Sequence, residues 1–180
     1  MSSTLLESLE RAARRQDLGL RFLDRHELET FIPFSEIHDR SLEVACRLQA
    51  AGVSPGERVA LVFPTCAEFV TGLFGALLAG AVPVPLYPPV RLGRLAEYLS
   101  QTARMLAASR AVLVLASGKV RAVLGEAIAS ARPRLGCRTI EELPAGVLRA
   151  VSPDPSGLAL VQFSSGRPPT PGPSRSLIGR

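Results

Sequence analysis

From Phe69 to Val90 the chain carries no charged residue, a run long enough for a single apolar helix to cross a bilayer. Its second half decides otherwise, because Pro83, Pro85, Pro88 and Pro89 follow Gly80. Proline lacks the amide hydrogen that a helix interior needs, and its ring clashes with the preceding turn. The run therefore has to divide. The spacing predicts a helix over 66–79 stopped at Gly80, then a buried strand over 81–86, with no membrane span.

The same reading extends along the chain. Thr4–Arg15 is an amphipathic helix with Leu5, Leu6, Leu9 and Ala13 on one side. Leu18–Asp24 and Thr30–Phe34 are short strands around a charged turn. Ser35 is the expected N-cap of the next helix, which carries Ile37, Leu42, Val44, Ala45 and Leu48 and closes at Gly52. After a turn at Pro55 and Gly56, strands over 58–63, 81–86, 111–116 and 158–163 alternate with helices over 66–79, 92–108 and 119–131. Apolar strands separated by helices are the pattern of an α/β domain with a parallel-rich sheet and flanking helices. Aromatic residues are only 5% and Trp is absent, so Leu, Val and Ala must build the core. One folded unit over 1–166 is expected. Residues 167–180, RPPTPGPSRSLIGR, lack periodicity and are expected to be disordered.

The net charge of +5 is no nucleic-acid signal. Arg167, Arg175 and Arg180 supply three of those charges from a tail without acids, leaving +2 on the body. No basic stripe runs along any element, so nucleic acid is not an expected partner. Cys46, Cys66 and Cys137 have no metal-ligand spacing, and no metal site is expected. No basic stretch followed by an apolar run opens the chain, so a cytoplasmic protein is the expectation. His26 and His38 read as surface residues, and Glu141 and Glu142 as a solvated helix start.

Chemistry enters at Leu158–Gly166, LALVQFSSG. An apolar strand running directly into two hydroxyl residues and a glycine is how a phosphate-gripping loop begins. Glycine lets the backbone approach the anion, and free amides and hydroxyls donate to phosphate oxygens. Ser164, Ser165 and Gly166 are the candidate phosphate-binding residues. No catalytic residue is assigned.

Residues 52–89, GVSPGERVALVFPTCAEFVTGLFGALLAGAVPVPLYPP, resemble the adenylate-forming superfamily of acyl-CoA synthetases, peptide-synthetase adenylation domains and luciferases. The ending Leu86-Tyr87-Pro88-Pro89 is similar to the fatty acyl-AMP ligase branch, and Leu160–Gly166 resembles the start of the family's phosphate loop. The resemblance implies the N-terminal part of an adenylation domain. It further implies ATP and Mg²⁺ as reactants, with a fatty acid and an acyl carrier protein as partners. Tyr87 and the proline pair would shape a loop or wall an acyl tunnel. A fragment of another acyl-CoA synthetase or of a peptide-synthetase domain, or a folded remnant acting by binding alone, is the competing reading.

The resemblance breaks after Gly166. The family loop continues with Ser or Thr and then Pro-Lys, whereas Arg167, Pro168 and Pro169 stand here, and prolines have no amide to donate. The later catalytic segments of the family are absent from these residues, so the chain alone is expected to be inactive. Shifting the frame by one nucleotide after Gly166 permits Ser-Thr-x-Asp-Pro-Arg, which resembles the family loop. A frameshifted tail is therefore the expected origin of 167–180, with a natural low-complexity end as the alternative.

Overall fold

The computed structural model describes residues 4–23, 26–89, 94–151 and 157–164, with the backbone of 173–176. Helix α1 (Leu5–Ala13) starts with a reciprocal cap. The Thr4 hydroxyl accepts from the Glu7 amide at 3.2 Å while the Glu7 carboxylate accepts from the Thr4 amide at 3.0 Å. Strands β1 (Gly19–Leu23) and β2 (Glu29–Pro33) form an antiparallel hairpin. Helix α2 (Phe34–Ala50) follows without a break. Here Pro33, not Ser35, is the N-cap, and no side chain caps the helix. The Phe34 amide donates to the Leu18 carbonyl at 3.0 Å, so the residue before the hairpin satisfies the first free amide of the helix.

The predicted division of the uncharged run is observed. Strand β3 (Arg58–Val62) leads to α3 (Ala67–Leu78), and β4 (Val82–Leu86) follows the turn at Gly80. Gly80 has φ +76°, the left-handed conformation that lets the chain reverse out of α3. Helix α4 (Leu95–Ser109) and strand β5 (Ala111–Ala116) complete the alternation. The helix expected over 119–131 is two pieces, α5 (Gly118–Arg121) and α6 (Gly125–Ala131). The chain turns inward between them to bury Leu124 completely, and Gly125 marks the weak point of the helical run. A two-residue strand β6 (Cys137–Arg138) pairs with β5. Glu141 and Glu142 lie in a turn, not at a helix start; the Glu142 carboxylate accepts from the Thr139 amide at 2.9 Å.

The central sheet is parallel, in the order β4-β3-β5-β6. Alternation along β3 sends Val59, Leu61 and Phe63 to α2 and α3, and Ala60 and Val62 to α4 and α6. The two faces are thus both covered, as continuous apolar strands require. In β5, Ala111 lies on the α4 face while Val112 and Leu113 both lie on the other. That break in alternation coincides with a register irregularity against β3 between Arg58 and Val59. The hairpin and α1 pack outside α2 and α3 through Leu9, Ile32 and Ile37. Among the described residues no helix is long and apolar enough to cross a membrane.

Strand β7 (Leu160–Phe163) pairs antiparallel with β8 (Pro173–Ser176) in a separate two-stranded sheet. Four residues of the segment expected to be disordered thus run as a strand, and the rest of 167–180 lies outside the described residues.

Candidate functional site

Position at the sheet edge comes first. The Val82 amide donates to the Glu57 carbonyl at 2.8 Å, on the side of β3. Alternate residues of a strand face the same neighbour, so the amide positions of residues 83 and 85 face the outer edge of β4. Both are proline, and that edge has no donors to offer there. Strand β7 lies alongside β4 nevertheless, docked by side chains and not by a ladder. Val161 is buried in the same apolar cluster as Val82, Val84 and Leu86, with Leu158 and Phe163 packed against it.

The direction of β7 follows from a shared cavity. Leu158, Ala159 and Leu160 line it together with Val82 and Pro83, the first residues of β4. Strand β7 therefore begins where β4 begins, and Ser164 leaves at the C-terminal edge of the parallel sheet. Ligands of open parallel α/β sheets bind at this edge, where loops diverge from the strand ends. Ser164 is exposed, with its hydroxyl open to solvent. Ser165 and Gly166, the other two predicted phosphate contacts, lie outside the described residues.

Two further groups stand at this edge. Tyr87, directly after β4, is 79% exposed. Its carbonyl accepts from the Tyr98 hydroxyl of α4 at 2.9 Å, which fastens the start of the Tyr87-Pro88-Pro89 loop to that helix. Sequence reasoning missed Tyr98, whose only signal was an aromatic residue with a polar tip in the first turns of α4. Cys66 precedes α3 at the end of β3, and burial pushes its thiol up to about 11. At neutral pH it is a thiol and no nucleophile. His38 sits on α2 with Nδ1 3.4 Å from Asp39 Oδ1, and His26 is exposed in the hairpin connection. Neither is on an element that carries Ser164. Among the described residues no group of three or more metal-ligating side chains converges.

The chain's residues 9–167 match the family model described as AMP-binding enzyme. A provisionally named acyl-CoA synthetase of Caulobacter vibrioides is 31% identical over 93% of this chain and 29% of its own length. The long-chain-fatty-acid–AMP ligase FadD32 of Mycolicibacterium smegmatis is 28% identical over 91% of this chain and 27% of its own. A structure from a study of fatty acyl-adenylate ligases of E. coli and L. pneumophila superposes with a TM-score of 0.83 at 28% identity. That superposition covers 91% of this chain and 30% of the matched one. The chain thus spans about three-tenths of the length of the relatives it matches.

Proposed function

The chain belongs to the AMP-binding enzyme family, and from that membership we propose that it is the N-terminal portion of a fatty acyl-AMP ligase. The observation that carries this reading is the place of Ser164, which follows β7 directly and leaves the sheet at its C-terminal edge. The run Leu86-Tyr87-Pro88-Pro89 supports the fatty acyl branch, as does the similarity to long-chain-fatty-acid–AMP ligase FadD32.

In the complete enzyme a carboxylate oxygen of the fatty acid attacks the α-phosphorus of ATP. The bond to the bridging oxygen breaks, and pyrophosphate leaves with the electron pair, giving acyl-AMP. A phosphopantetheine thiol of an acyl carrier protein then takes the acyl group, releasing AMP. The Ser164 and Ser165 hydroxyls and the Gly166 amide donate to phosphate oxygens as charge moves onto the leaving group. Mg²⁺ would accompany the triphosphate and offset charge on the departing pyrophosphate. The need for ATP is what supports a cytoplasmic setting for this reaction.

The chain by itself is inert in this reaction. Arg167, Pro168 and Pro169 remove the hydroxyls and amide donors that should continue the loop. The test is ATP–pyrophosphate exchange with saturated fatty acids and the purified chain. No exchange above background is expected, and fatty-acid-dependent exchange by the chain alone would overturn the inert reading.

A further inference from the structure

A cavity of about 430 Å³ opens at the edge of the sheet opposite Ser164, between the starts of β3, β4 and β7, with α3 as one wall. That volume falls within the range of small-molecule sites. Leu73, Leu77, Val82, Val151 and Leu158 make most of its surface apolar. Backbone groups on its rim are already used: the Gly56 amide donates to the Gly80 carbonyl at 2.8 Å, and the Val82 amide to Glu57.

Arg58 bears the one charge among the described lining residues, none of which is a carboxylate. It is half-buried, and no acid in the described residues pairs with its guanidinium. The adjacent acid is engaged elsewhere. Glu57 accepts from Arg134 at 2.8 and 2.9 Å and from the Ser54 amide at 2.8 Å. A partly desolvated guanidinium against an apolar wall is matched by an anion that brings its own apolar surface.

We propose that this cavity binds an amphiphilic monocarboxylate, with the carboxylate on Arg58 and the tail along Leu73, Leu77, Val82 and Leu158. One cation balances one carboxylate, whereas a phosphate would leave a second charge against the apolar wall. The site is separate from the Ser164 loop and does not depend on the adenylation reading.

The probe is decanoate, measured by calorimetric titration and by amide chemical shifts of the 180-residue chain, beside decanol and decyltrimethylammonium. One decanoate per chain is expected, with shifts at Arg58, Val82 and Leu158, and with decanol and the cation at least about tenfold weaker. Arg58→Met should weaken decanoate about tenfold or more, Arg58→Lys should keep most of the affinity, and Ser164→Ala should leave it unchanged. Equal binding of decanol, full affinity in a folded R58M, shifts confined to the Ser164 end of β7, or no decanoate binding would each overturn the proposal. The comparison of decanoate with decanol uses the unaltered chain, so it decides even where a variant fails to fold. A negative result leaves the adenylation reading standing, because that reading is judged by pyrophosphate exchange in a chimera with a complete ligase.

Discussion

Cys66 stands at the end of β3, on the sheet edge that also carries Ser164, and it could act as a nucleophile there only as a thiolate. Burial pushes its thiol from 9.0 to about 11, and does the same at Cys137. Alkylation of both by iodoacetamide at pH 7.5 should therefore be at least about tenfold slower in the folded chain than in denaturant. The same shifts set a pH window. The folded chain holds these protons more tightly than the unfolded chain, so their contribution to stability is complete below pH 9 and declines as pH rises toward 11. Urea midpoints should fall between pH 8.5 and 10.5, and less steeply in a Cys66→Ala, Cys137→Ala double variant. An equal decline in both proteins would contradict this. At this scale the strand that leads to Ser164 was legible because its apolar residues are contiguous in the sequence. The Pro33 cap of α2 and the Tyr98 bond to Tyr87 were not, because each depends on a partner brought up by the fold.

Among the elements, α2 and α3 meet at Gly75 without room for a side chain. A Cβ there would lie 2.6 Å from Val44 Cβ and Cγ1, so the two helices cross through the missing side chain. Gly75→Val should cost about 1–3 kcal/mol through overpacking, read as a lowered urea midpoint; an unchanged midpoint would show that the crossing can open freely. The strand and helix alternation was readable because both faces of the parallel sheet are apolar and each strand is continuous. The segment after β6 was not. Residues 139–151 carry no periodic pattern, yet they are strapped to α2. Arg47 donates to the Leu143 carbonyl at 3.0 Å, and the Gln49 side chain bonds both the carbonyl and the amide of Arg149, at 3.0 and 2.8 Å. Long-range side-chain bonds of this kind leave no local signature. The split between α5 and α6 likewise follows from the burial of Leu124.

For the whole molecule, the parallel sheet fixes which edge can be chemical. Strands β3, β4, β5 and β7 leave toward the edge that holds Tyr87 and Ser164, while the Arg58 cavity lies at the other. The sequence predicted the strand leading into Ser164 but not its docking beside the proline edge of β4. We propose that the tail beyond residue 167, where the family match ends, is read in a shifted frame. Adding one nucleotide at the Gly166 codon should open a frame that begins with a hydroxyl-rich loop and Pro-Arg or Pro-Lys. A stop codon met at once would exclude it. The most direct measurement replaces the matching N-terminal segment of long-chain-fatty-acid–AMP ligase FadD32 with residues 1–166 and follows fatty-acid-dependent ATP–pyrophosphate exchange. A folded chimera should exchange, and Ser164→Ala should lower its rate by about a hundredfold or more, the cost of removing a donor to developing charge. A chimera that folds but does not exchange, or an S164A chimera as fast as its parent, would contradict the account.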